Sequence, residues 1–406
     1  MEKKLPDMWK HIPNLSLEER DARWEKIRAR MSGAGLDCLL VWSGGGGHID
    51  NIRYVAHVGV PGICLFPLKG EPVVFSARLR SYYYIKAQHR WVQDVRPGPS
   101  PANVARALAE LGLEKGNIGI VGFGSSRFRH SPDVINYRSY KGLLDALPGA
   151  TLVDAGWLLD EARMLKSAGE IEFLYKAAEL AYKMFEAMVS SARPGVKECE
   201  VYANMLHASL ANGGDDEMIL LDSGNPPLLH GKGPPYTTRP LEKGDIIIVE
   251  YHANYGGYLI AVEHSLSLGK PKKQFREIHR VSEECYHQGV SVMRPGVAFE
   301  EVIQAFREPA DRAGMAYIEL GVCGHGLSSP EFPSCVYGGK GGVLHEHGLA
   351  QIAPIRLQEN MVFGINVDLH NPKFSTDTGL MLGDTIWVSA DGPRQMTRIP
   401  VEFTVV

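Results

Sequence analysis

Short apolar runs alternate with helical stripes through the first 160 residues. The runs at 38–42, 62–66, 72–75, 118–121 and 151–153 have the length and β-branched content of buried strands. Between them, 103–111 and 134–147 repeat apolar residues every three to four positions, the spacing of amphipathic helices. This texture predicts a small α/β domain over residues 1–160. A run of four glycines, Gly44 to Gly47, lacks the Gly-Lys-Ser/Thr of a P-loop and the G-x-G-x-x-G of a dinucleotide turn. It reads as a turned or flexible loop.

From residue 161 to 406 the texture changes. Ser167-Ala-Gly-Glu170 is a capping box, and Ile171, Leu174, Ala178, Tyr182 and Phe185 follow it as a helical stripe. Arg193-Pro-Gly-Val196 recurs as Arg294-Pro-Gly-Val297, each after one helical pattern and before another. The segment 241–250, ending at Glu250, is echoed by 357–366, ending at Asn366. Two copies are too few for a solenoid. They fit one duplicated unit, with Glu250 and Asn366 at equivalent places across a pseudo-twofold axis.

Composition narrows the partners. The chain of 406 residues is 44% hydrophobic and 22% charged, ordinary for a globular protein. Its net charge of -4 gives no electrostatic reason to expect nucleic acid or an anionic membrane. No run of about 18 apolar residues is present and the start lacks a signal-peptide core, so a cytoplasmic protein with no membrane span is expected. The six cysteines form no C-x-x-C pair or zinc spacing and read as reduced thiols.

Chemistry concentrates in four segments. His230 lies among Gly and Pro, hence in a loop. Glu250 and Glu263 sit on two adjacent apolar runs, and carboxylates are seldom buried without a purpose. His325 stands in Cys323-Gly-His325-Gly, and Asn366 and Asp368 close the echo segment. His345-Glu-His347 has no third ligand spaced near it and reads as a solvated or capping loop rather than a metal site.

These motifs resemble the pita-bread superfamily of aminopeptidase P, prolidase and creatinase. That resemblance implies a two-part α/β architecture: a creatinase/prolidase-like N-terminal domain, then a pita-bread catalytic domain with internal duplication. Metal-dependent members place Asp, Asp, His, Glu and Glu at five ligand positions. Here those positions hold Glu250, Ala261, His325, Asn366 and Gly383, and Ala and Gly supply no donor. The resemblance therefore implies the metal-free creatinase-like branch, with no metal and no cofactor. It assigns His230 as general acid and base, with Glu263 and Glu250 as further catalytic groups. His325, Tyr258, Asn366, Cys323 and Asp368 are expected to bind substrate, with Asp377 as a weaker candidate. The function expected is metal-independent hydrolysis of a C–N bond in a small guanidino, amidine or cyclic amide-like metabolite. The alternatives are a metal-dependent Xaa-Pro peptidase, a C–S or C–O lyase on the same scaffold, and a non-catalytic peptide-binding module. A homodimer with shared active sites is implied as well.

Overall fold

The computed structural model describes residues 12–43, 49–76, 91–123, 134–216, 218–228, 237–338, 342–343, 354–375 and 378–406. The chain divides into two compact units, Met1–Arg163 and Met164–Val406.

In the first unit, α1 (Leu17–Gly33) starts where the Ser16 side chain accepts a hydrogen bond from the Glu19 amide. It buries Trp24, Ile27 and Met31, one stripe of an otherwise polar helix. A sheet follows from β1 (Cys38–Trp42), β2 (Gly62–Pro67), β3 (Val73–Ser76), β4 (Asp94–Pro97), β5 (Asn117–Val121) and β6 (Thr151–Asp154), in the order β4-β3-β2-β1-β5-β6. The short helix α2 (Asp50–Ala56) precedes β2, while α3 (Pro101–Glu110) and α4 (Tyr137–Ala146) bury Val104, Leu108 and Leu143 against Leu40, Ile63, Ile118 and Ile120. The five expected strands and both expected helices are present within a few residues of their bounds. The glycine run 44–47 lies outside the described residues. The helix α5 (Gly156–Met164) ends where the two units divide.

The second unit is a duplicated structure. In its first half, α6 (Ala168–Ser191) and α7 (Glu198–Leu210) lead into β7 (Ile219–Gly224), β8 (Ile246–Tyr255) and β9 (Tyr258–Ser267). The expected capping box forms: Glu170 N donates to Ser167 Oγ at 3.1 Å, and Ser167 N donates to Glu170 Oε2 at 2.9 Å. In the second half, α8 (Lys273–Ser291) and α9 (Phe299–Ala313) lead into β10 (Ala316–Gly324), β11 (Glu331–Gly338), β12 (Gly342–Val343), β13 (Val362–His370), β14 (Thr385–Ser389) and β15 (Gly392–Gln395). A last strand, β16 (Thr404–Val405), lies beside β9. The sheets run β16-β9-β8-β7 and β12-β11-β10-β13-β14-β15.

The sequence echo is a structural one. Gly195 and Gly296 both have φ of +92°, a conformation that favours glycine. Gly195 N bonds Leu241 O and Leu241 N bonds Val196 O, each at 2.8 Å; Gly296 N to Leu357 O and Leu357 N to Val297 O repeat the pair at 2.8 Å. The same join thus fixes the entry to β8 and to β13, which makes β7-β8-β9 and β10-β13-β14 equivalent triplets. Gly256 and Gly257, at φ of +61° and +92°, make the two-residue turn between β8 and β9. The whole is a two-domain α/β protein whose second domain has the pita-bread fold.

Candidate functional site

The two sheets of the second unit are joined by backbone hydrogen bonds at Glu263 and Gly383. Glu263 N donates to Gly383 O at 3.0 Å and Gly383 N donates to Glu263 O at 2.9 Å. Approach is so close that a Cβ on residue 383 would lie 2.0 Å from Ile365 O and 2.8 Å from Glu263 Oε2. Glycine at 383 therefore has a packing reason, and the carboxylate of Glu263 occupies the space a side chain there would enter.

Strand register builds the rest of the site. Glu250 lies directly opposite Glu263, and His252 opposite Ala261. Because side chains alternate, these four share one face of the smaller sheet. On the larger sheet Glu319 lies opposite Asp368, Gly321 opposite Asn366, and Cys323 opposite Gly364. The two faces are tied together by side chains. Asn366 Nδ2 donates to Glu263 Oε1. Thr385 Oγ1 donates to Ala261 O at 3.0 Å, accepts from Ala261 N at 3.1 Å, and lies 3.4 Å from His325 Nδ1.

Four carboxylates thus gather as two cross-strand pairs of like charge. Such pairs repel. Burial, with the charge of Glu319, raises Glu250 to about 7. Burial, then Asp368, Glu250 and Glu319, holds Glu263 well above the carboxylate range. Asp368 is raised well above its usual value by burial and then by Glu319 and Glu250, and Glu319 is raised by burial. Glu263 Oε2 and Asp368 Oδ1 are buried without a hydrogen-bond partner among the described residues. The two side chains lie within hydrogen-bonding reach of each other, a contact that holds only while one carries a proton. Glu250 and Glu319 are half-buried, so the cluster grades from solvent inward.

The histidines beside it are neutral. Burial, reinforced by His252, lowers His325 to about 3, and burial lowers His252 to about 4; their rings are 6.4 Å apart. His325 is fixed from several sides. Its Nε2 pairs with Ser329 Oγ at 2.9 Å and its backbone amide donates to Val362 O at 2.9 Å. A Cβ on Gly364 would lie 2.1 Å from its ring, so glycine there makes room for the imidazole. Beneath the following loop, buried Lys166 pairs with buried Glu331 at 2.8 Å, and Glu331 Oε1 accepts from the amides of Leu327 at 2.7 Å and Ser328 at 3.2 Å.

Of the residues singled out from sequence, Glu250, Glu263, His325, Asn366, Asp368 and Cys323 are brought together. The Cys323 thiol is pushed up to about 12 by burial and does not ionise near neutral pH. Tyr258 is not brought to them. It lies on the opposite face of β9 from Ala261 and Glu263, and its hydroxyl donates to Glu170 Oε1 at 3.0 Å in a core shared with Phe173. That placement corrects its expected role: an odd separation along a strand reverses the face. His230, His345, His347 and Asp377 lie outside the described residues. Glu319, His252 and Thr385 were missed. His252 was legible, two residues past Glu250 and so on its face. Glu319 was legible in the same way, four residues before Cys323 and on its face of β10, with unbroken register between them.

A scaffold of two duplicated halves, with polar groups gathered where their sheets meet, defines the class. Residues 172–390 match the Metallopeptidase family M24, and residues 23–165 match the Creatinase/Prolidase N-terminal domain. The chain belongs to family M24. It is 24% identical over 388 residues to a Bacillus subtilis protein named Uncharacterized peptidase YqhT, a match covering 94% of this chain and 99% of that one. It is also 24% identical over 250 residues to the Xaa-Pro dipeptidase of Pyrococcus furiosus, covering 61% and 66% of the two chains. Among solved structures, the Xaa-Pro dipeptidase from Bacillus anthracis superposes with a TM-score of 0.76 at 22% identity, covering 95% of this chain and 100% of that one.

These findings overturn the expected cleavage of a non-peptide C–N bond by a metal-free, creatinase-like enzyme. The relatives are named peptidases and dipeptidases, as in the Xaa-Pro peptidase alternative. Ala261 and Gly383 bear on which donors are present, and donors alone do not specify a substrate. A dinuclear metal centre of the kind the family name implies does not fit the described residues. Positions 261 and 383 carry no donor, Asn366 is engaged with Glu263, and no group of three His, Cys, Asp or Glu among the described residues could hold a metal ion. Nor is any described helix long and apolar enough to cross a membrane.

Proposed function

We propose that this chain is a peptidase that hydrolyses the peptide bond of a dipeptide or short peptide, with Xaa-Pro dipeptides as the first substrates to try. The observation that carries the reading is its membership of family M24 through residues 172–390. The relatives named Xaa-Pro dipeptidase and dipeptidase supply the substrate class.

The chemistry follows from the chain's own side chains. Glu250, half-buried and raised to about 7, takes and returns a proton near neutrality, the property a general base needs. It accepts a proton from the attacking water and passes it to the departing amine, so the reaction ends with no net proton change at the carboxyl. His325, held neutral with Nε2 on Ser329 Oγ and Nδ1 3.4 Å from Thr385 Oγ1, is a positioning group behind the carboxylates rather than a charged acid. His230 is assigned a second acid–base role on its sequence context alone. Asn366 fixes the carboxylate of Glu263, opposite Glu250, and Thr385 fixes the backbone of Ala261.

The test is direct. Purified protein is incubated with Ala-Pro, Gly-Pro, Leu-Pro and Ala-Ala, each with and without manganese or cobalt, and released amino acids are read by mass spectrometry. Release of free proline is expected. If no dipeptide is cut under any condition, the peptidase reading fails.

A further inference from the structure

The imidazole of His252 makes no hydrogen bond among the described residues. Only 9% of the residue is exposed, and it lies on the face of β8 that carries Glu250. Buried polar groups are ordinarily paired, and each one left unpaired costs stability. The neighbours of His252 cannot supply that pairing. Ala261 lies opposite it on β9, and its amide donates to Met218 O on the other side; neither side chain offers a strong donor or acceptor. His325 does not serve it either. The two rings are 6.4 Å apart, and the nitrogens of His325 face Ser329 and Thr385.

The space beside His252 is open. Ala261 is partly exposed between Ile260 and Val262, which are 0% and 1% exposed. Glu250 on the same sheet and Asn366 and Glu319 on the other are partly exposed as well. A methyl group in the middle of a strand reaches solvent only where nothing packs upon it. A cleft therefore opens over Ala261, with the unpaired imidazole at its wall.

We propose that His252 is a further catalytic residue, whose ring N–H donates a hydrogen bond to the carbonyl oxygen of the scissile peptide bond. This role, which rests on the peptidase reading, follows from the spacing along β8. Glu250 and His252 are two residues apart on one face of a strand, a span of about 7 Å. That span sets a base over the attacking water at one end and a donor over the carbonyl oxygen at the other, with the carbonyl carbon between. As water adds, Glu250 takes its proton and the C=O electron pair moves onto oxygen, where the His252 N–H meets the new charge. On collapse the pair returns, the C–N bond breaks, and the amine leaves with the proton held by Glu250. His252 neither gains nor loses a proton, and imidazole carries an N–H in either protonation state.

Kinetics are measured on the dipeptide cut best, under the metal condition that supports cleavage, for the parent and for His252→Phe, His252→Asn and His252→Gln. Phenylalanine keeps a ring without the donor, and His252→Leu replaces it if its melting temperature falls. The two amides restore an N–H near imidazole Nδ1 and Nε2. His252→Phe is expected to lower kcat by about 10²–10³-fold, with KM within about threefold of the parent. At least one amide variant should recover about tenfold or more of that loss. Calorimetry without turnover compares two analogues of Ala-Pro, a tetrahedral phosphinic acid and a planar ketomethylene. The parent should prefer the tetrahedral anion, and His252→Phe should lose about 10–100-fold of that preference. A donorless variant that cuts within about threefold of the parent, with the analogue preference unchanged, would overturn the proposal and leave the peptidase standing. So would an equal loss in all three variants, the mark of a packing role. A parent that cuts no dipeptide and binds neither analogue would overturn the peptidase reading and the role of His252 with it.

Discussion

Glu250→Gln separates what this site costs the fold from what it supplies to chemistry. Glu250 ionises at about 7 in the folded protein and at 4.5 when unperturbed, mainly because it is buried and secondly because Glu319 is near. Below pH 4.5 the folded and unfolded chains both hold the proton and the residue is neutral toward stability. Between 4.5 and 7 the folded state keeps a proton that the unfolded state has released, so stability falls as pH rises. Above 7 the full cost is present, about 3 kcal/mol at roughly 1.4 kcal/mol per pH unit. Glutamine has nearly the same shape and no such cost. The variant should match the parent near pH 4 and exceed it by up to about 3 kcal/mol at pH 8.5. For a unit of this size that is roughly 6–12 °C in Tm. Thermal unfolding by circular dichroism from pH 4 to 9 reads the difference, and dipeptide turnover should fall in the same variant by about 10²–10⁴-fold. A Tm difference that does not vary with pH, or a variant less stable at pH 8.5, would refute the electrostatic reasoning.

Three further outcomes are expected. Lys166→Met strands the buried Glu331 carboxylate and should cost about 3–5 kcal/mol in urea unfolding, partly restored by adding Glu331→Gln; a loss below about 1 kcal/mol would mean the pair does not hold the loop after His325. His230→Ala should lower kcat by at least about a hundredfold with little change in Tm, and activity within about tenfold of the parent would return proton transfer to Glu250 alone. A homodimer that completes each site with residues 50–65 of a second copy is proposed from the resemblance to creatinase; sedimentation alongside activity checks it, and a fully active monomer at nanomolar concentration would exclude it.

Much of this architecture could be read from the chain because its signals are local or repeated. The capping box at Ser167 and Glu170 acts within one helical turn, and the Arg-Pro-Gly-Val echo marked two joins that the structure builds with the same hydrogen bonds. Glu250, Glu263, Asn366 and Asp368 were visible as polar residues interrupting apolar strands. What stayed hidden depends on register between strands far apart in sequence. Nothing near Glu319 reveals that it will face Asp368, and Tyr258 needed its face of β9 fixed before its role could be judged. Gly383 shows the same limit from the other side. As a sequence feature it was a lost ligand, and in the fold it is also the place where two backbones meet too closely for any side chain. Substrate was the least legible property, since two missing donors suggested a change of chemistry that the named relatives do not share.

The central claim is that this chain adds water across a peptide bond. Hydrolysis of Ala-Pro in oxygen-18 water, followed by mass spectrometry of both products, tests it most directly. The new carboxylate of alanine should carry one labelled oxygen and proline none. Intact dipeptide, or cleavage that leaves alanine unlabelled, would contradict it.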